Sequence, residues 1–392
     1  MSLEFKYYKI DDIGEVVSGG TPSTSKDEYW YGDIGWITPK DLSTYEDIYI
    51  SRGERNISSE GLNNSSAKLV PKNTVLMTSR APIGYIAIAN NELSTNQGFK
   101  SLICDERICH YKYFYYWLKL NIKYIINNAN GSTFNEISGG TFKNLEISLP
   151  SITEQKAISS VLWTLDEKIS VLKKININLT KLSSIIFINL MEKSNNFLEL
   201  NRYCKFIKGK KPKETSDYPQ SNFLDYLTID VLSNQSQMYA YDEKGILANE
   251  YDILMVMDGA SSGKLFYGKS GLVGSTLAKL NVEEKYLEIV YQFLKQSEKF
   301  ISDNTTGSAI PHTDKGLVLS LKCPISEELL NYSDTFKSIR SSIITNNNEI
   351  LKLQKLRDTL LPKLMSGEID VSKINCDLEL LRYDYSLFYI FN

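Results

Sequence analysis

Three short stretches carry residue types that could do chemistry, and the first of them resembles a phosphate-binding loop. Such a loop cradles phosphates with backbone amides and a lysine, in the pattern G-x-x-x-x-G-K-[ST]. The segment from Gly259 to Lys264, Gly-Ala-Ser-Ser-Gly-Lys, is one residue too short. Leu265 also stands where a hydroxyl residue would bind Mg²⁺. We therefore interpret this segment as a turn that ends a strand.

The other two stretches, Asp166-Glu-Lys168 and Asp242-Glu-Lys244, place carboxylates beside a lysine as nuclease sites do. The first falls on a predicted helix, where such charges usually form a solvated face, and the second falls in a turn. His312 could act as a general base, but a turn histidine or a ligand contact is the better interpretation. The sequence contains two histidines in all, so a histidine-based metal site is disfavoured. We predict no catalytic residue, no metal site and no cofactor bound by this chain.

The bulk composition is that of an ordinary globular protein. The chain has 392 residues, of which 42% are hydrophobic and 23% charged, and this length suits two or more domains. A net charge of −3 excludes a uniformly basic nucleic-acid binder, so any such contact must come from local patches. The five cysteines are scattered, which is typical of reduced thiols, and we expect a cytoplasmic protein. We see no signal peptide and no apolar run of the ~20 residues that a membrane span needs.

The elements that must position any site are two long helices. From Ser151 to Met191 the apolar residues keep a seven-residue repeat, which predicts a coiled-coil seam. Its main heptad position is occupied in turn by Ile158, Leu165, Leu172, Leu179 and Ile186. The flanking positions, three or four residues further on, are Val161, Ile169, Ile175, Leu182 and Leu190.

A second copy of this helix follows at a constant offset of 174 residues (324 − 150 for the prolines, 365 − 191 for the methionines). The heptad is expected to continue without a gap, with Ile158 replaced by Tyr332. The seam residues of the second copy are Ile339, Asn346, Leu353 and Leu360. Asn346 replaces Leu172, and a buried asparagine in a seam can fix its register, although an exposed asparagine is an equal alternative.

Each helix follows a segment of short apolar runs bounded by Gly, Pro, Asn and Ser, which is typical of strands and turns. The two segments share landmarks in the same order: Val17–Pro22 with Ile207–Pro212, Met77 with Met255, and Gly131 with Gly307. We predict an α+β protein with two mixed modules in a pseudo-twofold arrangement, joined by two helices that form an antiparallel coiled coil. The predicted boundaries are 1–150, 151–192, 193–323, 324–371 and a C-terminal tail, 372–392, that is expected to pack.

These features together resemble the specificity subunit of type I restriction–modification enzymes. The residues that carry the resemblance are Leu149-Pro-x-x-x-Glu-Gln155, Thr78-Ser-Arg-Ala-Pro-x-Gly84, Asn96-Gln-Gly-Phe99, Gly259-Ala-x-x-Gly-Lys264 and Leu356-Arg-Asp-Thr-Leu-Leu-Pro-Lys-Leu-Met-Ser-Gly-Glu-Ile-Asp-Val371. The resemblance covers about residues 5–371. The second helix lacks the Glu-Gln pair, and the aromatic tail is not part of the family pattern.

The resemblance implies that each module is a target recognition domain for one half of a bipartite double-stranded DNA sequence. It implies two partner DNA adenine methyltransferase subunits and, through them, restriction subunits that act as motor and nuclease. S-adenosylmethionine, ATP and Mg²⁺ would be bound by those partners. In agreement, no proline follows Asn or Asp, so the (Asp/Asn)-Pro-Pro-(Tyr/Phe) loop of an amino-methyltransferase is absent from this sequence.

Candidate DNA contacts are polar residues on loops of the modules, because Arg or Lys suits guanine, Asn or Gln suits adenine, and hydroxyls suit phosphates. In the first module the candidates are Thr38, Lys40, Ser79, Arg80, Asn96, Gln97 and Ser132. In the second they are Lys208, Lys210, Lys211, Lys213, Lys264, Ser308 and His312. Asn96 and Gln97 could instead cap a turn before Gly98, and the lysines could be a solvated face. The aromatics of 111–117 are at helical spacing and are expected in the core.

Two alternatives remain open from the sequence. The same scaffold could serve a methylation-only system, without a nuclease partner. The chain could also be a coiled-coil adaptor whose two modules bind protein or glycan. DNA pull-down with and without a methyltransferase partner separates these possibilities.

Overall fold

The computed structural model describes residues 4–129, 135–307 and 309–371, and these form two compact units. One unit contains the described residues up to Val171 together with those from Leu351 onward. The other runs from Leu172 to Ile350. Both units combine short strands, short helices and part of two long helices, so the predicted α+β class is confirmed.

The first unit is built on a two-stranded, a five-stranded and a four-stranded sheet, with strand orders β1-β11, β2-β10-β7-β8-β4 and β5-β3-β9-β6. The strands are β1 (Lys6–Lys9), β2 (Gly14–Ser18), β3 (Trp30–Ile37), β4 (Tyr49–Ile50), β5 (Arg55–Ile57), β6 (Leu69–Val70), β7 (Val75–Ser79), β8 (Ile83–Ala89), β9 (Leu93–Thr95), β10 (Lys100–Cys104) and β11 (Glu146–Leu149). The helices are α1 (Pro39–Leu42), α2 (Ser59–Asn63), α3 (Tyr111–Asn127), α4 (Gly139–Lys143) and the long α5 (Ile152–Glu192), which continues into the second unit.

The second unit has sheets of order β12-β22, β13-β21-β18-β19 and β14-β16-β15-β20-β17. Its strands are β12 (Phe197–Glu199), β13 (Cys204–Lys208), β14 (Glu214–Ser216), β15 (Leu224–Leu227), β16 (Tyr239–Tyr241), β17 (Leu247–Ala248), β18 (Ile253–Val256), β19 (Leu265–Phe266), β20 (Gly271–Val273), β21 (Leu277–Val282) and β22 (Lys322–Pro324). Its helices are α6 (Ile229–Leu232), α7 (Leu287–Asp303), α8 (Lys315–Ser320), α9 (Glu327–Asn331) and the long α10 (Ser333–Met365), which ends in the first unit.

The two modules share one backbone frame, as matched main-chain hydrogen bonds show. The matched pairs are Ser79 N to Gly98 O (2.7 Å) with Met257 N to Thr276 O (2.8 Å), Ile137 N to Ser79 O (3.0 Å) with Thr313 N to Met257 O (2.8 Å), and Gly20 N to Thr95 O (2.9 Å) with Lys210 N to Val273 O (3.2 Å). The pairing of β3 with β9 is parallel, as is that of β15 with β20. This agreement makes the residues of one module comparable, position by position, with those of the other.

The long helices pack against each other, and within each unit they run antiparallel. In the second unit, the rings of Phe187 and Phe336 lie 6.2 Å apart, and Asn176 contacts Asn346 and Asn347. Residue numbers therefore rise along one helix as they fall along the other. The Asn346 Nδ2 donates to the Asn176 Oδ1 (2.7 Å), and the Asn176 Nδ2 donates to the Asn347 Oδ1 (2.9 Å). Asn346 thus lies in the seam, as the register interpretation predicts, because a shifted helix would break this amide network.

The flanking row of the seam agrees with the prediction in part. Val161, Ile169 and Leu190 are buried, whereas Ile175 and Leu182 are about half exposed. Leu162, Asn176 and Ser183, which were not predicted, are also buried, each four residues after the main heptad position. Polarity misled the sequence interpretation, because buried Asn176 and Ser183 interrupt the apolar row, whereas two apolar residues face outward.

The second helix does not copy the first without a gap. After β22 the chain forms α9, breaks at Tyr332 and begins α10 at Ser333. Tyr332 has φ −89° and ψ 0° and is 40% exposed, whereas its counterpart Ile158 is fully buried. By contrast, α5 starts cleanly, since the Ser151 hydroxyl accepts from the backbone amide of Glu154 (3.3 Å) and donates to its carboxylate (2.7 Å).

Each module is held to the long helices by buried charge. In the first unit the Asp166 carboxylate accepts from the Arg357 Nη1 (2.5 Å) and from the Tyr116 hydroxyl (2.7 Å). Asp166 was predicted to lie on a solvated face, and this prediction is wrong because Asp166 is buried. In the second unit, buried Arg340 pairs with buried Glu288. Arg340 is the counterpart of Asp166 at the 174-residue offset, so the sign of the charge is exchanged between the units.

Candidate nucleic-acid interface

In the first module, Thr38 precedes helix α1 and caps it. Its hydroxyl donates to the Asp41 Oδ2 (2.6 Å), and its backbone amide donates to the same oxygen (2.7 Å). Thr228 also caps its helix, α6 of the second module, where its hydroxyl accepts from the backbone amide of Val231 (3.3 Å). Thr38 therefore has a structural role in shaping the loop, whereas Lys40 is exposed and forms an ion pair with Glu54 (2.7 Å).

The turn after β9 carries the next candidates, Asn96 and Gln97. The Asn96 Oδ1 accepts from the Gly98 amide (2.9 Å), which is the turn-capping alternative noted above. Gln97 is exposed and hydrogen-bonds to the hydroxyl of Thr21. Ser79 is fully buried, and its hydroxyl has no partner among the described residues. The prediction that Ser79 contacts DNA is therefore corrected, because its side chain points into the protein.

Arg80 follows directly after β7 and joins a charged cluster that the sequence did not reveal. The Arg80 Nη1 lies 3.4 Å from the Glu136 Oε2, and both side chains are about 40% exposed. Lys100 is buried beside them, and burial lowers its pKa, with a further lowering by Arg80 that Glu136 opposes. No sequence pattern predicted Lys100 or Glu136. The matched landmarks Gly131 and Gly307 could have identified Glu136, because Glu136 and His312 each lie five residues after one of these glycines.

The second module carries four of its basic candidates on or just after β13, which is an edge strand of its sheet. Lys210, Lys211 and Lys213 are exposed and follow β13, at the position that Gly20, Thr21 and Ser23 occupy in the first module. Lys208 ends β13, and its Nζ donates to the Asp258 Oδ2 (3.1 Å). Lys264 is exposed, with its Nζ 4.9 Å from the centroid of the Phe266 ring.

Asp258 contacts two of the candidate residues at this edge, although no sequence pattern predicted it as a site residue. Its second oxygen lies 2.8 Å from the Nδ1 of His312. Partial burial acts to raise the pKa of Asp258, but hydrogen bonds from His312 and Lys208 hold it below its usual value. The carboxylate therefore stays ionised and orients two candidate DNA contacts at once.

Two predicted contacts, Ser132 and Ser308, lie outside the described residues, as do the tail from 372 and Cys376. Within the described ranges, no group of three or more His, Cys, Asp or Glu side chains is arranged to hold a metal ion. Cys104, Cys109, Cys204 and Cys323 are free thiols. The aromatics Tyr113, Tyr116 and Trp117 lie in the core, which confirms that prediction.

A second surface lies on the outward side of α5. Ile175, Leu182 and Ile185 are 41%, 49% and 58% exposed, and their spacing of seven and three residues places them on one helix face. Apolar side chains repeated on one face of a long helix are typical of helix–helix association.

Comparison with known proteins decides the family. A family profile described as "Type I restriction modification DNA specificity domain" matches residues 3–181. The MjaIX type I restriction enzyme specificity subunit of Methanocaldococcus jannaschii is 34% identical over 417 residues, which cover 93% of this chain and 94% of that relative. The chain belongs to the specificity subunits of type I restriction–modification enzymes. Such subunits are DNA-binding, non-catalytic components of their complexes.

Further relatives agree with this assignment of the specificity subunit. The MjaVIII specificity subunit, also from Methanocaldococcus jannaschii, is 32% identical over 175 residues, or 43% of this chain and 41% of that relative. The crystal structure of a type I restriction–modification S subunit from M. genitalium has a TM-score of 0.63 and 20% identity. It covers 92% of this chain and 96% of that one, and so shows a shared fold.

Among the residues that the structure describes, no helix combines the length and the apolar composition that crossing a membrane demands.

Proposed function

We propose that this specificity subunit recognises a bipartite double-stranded DNA target, with one half read by each module. One observation carries the proposal: the two modules share a backbone frame but present different polar side chains on it. A common frame supports a common mode of docking on the duplex. Different side chains at matched positions support different base sequences in the two halves.

The long helices support a second role, the docking of two DNA adenine methyltransferase subunits. The outward apolar face with Ile175, Leu182 and Ile185 offers a helical surface for such partners. In this proposal S-adenosylmethionine binds to the methyltransferases, and ATP and Mg²⁺ serve the restriction subunits that join the complex. The specificity subunit determines which DNA sequence is bound and the spacing between its two halves.

The test is a module exchange in the intact system. Residues 1–149 are replaced by the corresponding module of another specificity subunit, and the chain is expressed with its cognate methyltransferase. Sequencing of methylated sites is expected to show one new half-site and one unchanged half-site. A change in both halves, or a continuous target, contradicts the proposal of two readers.

The proposed docking of the methyltransferase is tested separately, by co-purification. Leu182→Glu and Ile185→Glu place charges on the outward face without touching the seam, so co-purification with the methyltransferase is expected to be lost. A matched exposed isoleucine, Ile177→Glu, lies on the same helix but on a different face and serves as the control for helix stability. Equal co-purification of all variants contradicts docking at this face.

A further inference from the structure

Arg80 and Asp258 occupy the same place in the two modules. Arg80 follows Thr78 and Ser79 in the chain, and Asp258 follows Val256 and Met257. Ser79 and Met257 make matched main-chain hydrogen bonds, so the residues that follow them are also matched. Glu136 and His312 are counterparts for the same reason. Each directly precedes a residue whose backbone amide donates to the carbonyl of Ser79 or Met257. Both pairs are in contact, at 3.4 Å in the first module and 2.8 Å in the second. The acid and the base have thus exchanged places.

A lysine completes each cluster, and it also occupies different positions in the two modules. In the first module Ser18 of β2 pairs across the strands with Lys100 of β10. In the second module Lys208 of β13 pairs across the strands with Ala278 of β21. Each cluster therefore holds one carboxylate and two basic side chains at the same place, although no basic residue keeps its position. The combination of one acidic and two basic side chains is retained, while the hydrogen-bonding groups that face outward differ.

A phosphate contact does not explain this pattern. Phosphates are identical along all DNA, so a residue that holds one has no reason to change sign between modules. Asp258 at the Arg80 position would repel a phosphate. Base edges differ from one sequence to another, and side chains that read them must differ accordingly. The exchanged cluster thus has the property expected of a place where bases are distinguished.

Resting on the proposed function, we propose that Arg80 reads a guanine in the half-site of the first module, and that His312 reads the exocyclic amine of an adenine or cytosine in the other. The Arg80 guanidinium offers two parallel donors, which match O6 and N7 of guanine. Glu136 holds the guanidinium in a surface ion pair, which costs little to separate. A Cβ atom at Gly98 would lie at ordinary contact distance (3.7 Å) from the Arg80 Nε, so the turn that carries Gly98 packs directly beside the Arg80 side chain.

The chemistry of His312 follows from its partner. The Asp258 carboxylate can only accept hydrogen bonds, so in the neutral form of the His312 ring the proton is on Nδ1. The Nε2 is then an acceptor, and the His312 side chain is 50% exposed. An acceptor pairs with the amino group of adenine or cytosine and not with guanine O6. Asp258 is a positioning residue that fixes this tautomer and holds Lys208 alongside.

The experiment selects duplexes from a randomised pool with the full-length chain bound to its cognate methyltransferase, followed by sequencing of both half-sites. Arg80→Gln is expected to reduce the preference for guanine at one position by about tenfold or more, with the other half-site unchanged. His312→Ala is expected to relax one position of the other half-site only. Arg107→Gln, which alters an exposed arginine paired with Asp105, is the matched control and is expected to change neither half.

The outcomes separate the two proposals. If Arg80→Gln leaves every base preference intact but flattens the salt dependence, Arg80 is a phosphate contact and the inference is overturned. If both half-sites change with Arg80→Gln, the residue acts through the fold and the inference is again overturned. If the unaltered complex selects no bipartite sequence, the proposed function itself fails, which is a different result from either.

Discussion

Asp166→Ala tests whether buried charge holds the first module to the long helices. The Asp166 side chain is 5% exposed and that of Arg357 is 16% exposed. Removing one partner of a buried pair typically costs about 3–5 kcal/mol. Arg357 keeps its bonds to Asp358 (2.8 and 2.9 Å), which favours the lower end of that range. The hydroxyl of Tyr116 also loses its partner, at about 1–3 kcal/mol.

Because such terms do not add fully, we expect a loss of about 3–5 kcal/mol in the free energy of unfolding of this unit. All four tryptophans, Trp30, Trp36, Trp117 and Trp163, lie in the first unit. Tryptophan fluorescence during urea unfolding of the full-length chain therefore reports on the unit that contains Asp166. With a slope of about 2–3 kcal/mol per molar urea, the midpoint is expected to fall by more than about 1 M.

Two further variants complete this test. Asp358→Asn alters the exposed partner of Arg357 and is expected to change the same free energy by less than about 1 kcal/mol. Combining Asp166→Ala with Arg357→Ala is expected to cost less than the sum of the single losses. A midpoint within about 0.2 M of the parent, or strict additivity in the double variant, would refute the reasoning that this pair forms a buried unit.

The remaining predictions concern the basic edge and the seam. Replacing Lys210 and Lys211 with Ala is expected to weaken DNA binding across sequences and to lower the slope of log K against log salt by about 0.9 per lost phosphate contact. An unchanged slope removes these lysines from the interface. Asn176→Leu is expected to destabilise the second unit by about 1–2 kcal/mol in thermal unfolding, since the part-buried amide of Asn346 loses its partner. Adding Asn346→Leu is expected to restore stability, and a double variant as unstable as the single one contradicts the register role.

Local patterns determined the parts of the fold that depend on neighbouring residues. The heptad repeat predicted α5 to within one residue at each end, because the seam and the Ser151 cap are both encoded in consecutive turns. The landmarks of the two modules predicted a shared frame because a tight turn restricts which residues can occupy it. The position of Asn346 in the seam followed from the same spacing.

Patterns of polarity failed where a polar side chain finds a partner far along the chain. Asp166 looks like a solvated charge until Arg357 and Tyr116 are brought beside it, and Asn176 looks like an exposed residue until Asn346 faces it. Ser79 carries a hydroxyl suited to DNA, but its strand places that hydroxyl inside the protein. Burial is decided by alternation along a strand and by the sheet behind it, and composition does not report either.

The sequence by itself determined that this is a duplicated chain with two long helices, two modules and residues that resemble a type I specificity subunit. Only the tertiary structure decided which polar residues work together, because Arg80 and Glu136, or Asp258 and His312, are separated by more than fifty residues in the chain. Charges act through space over a few ångströms, so their partners become visible only after the strands and turns have brought them together.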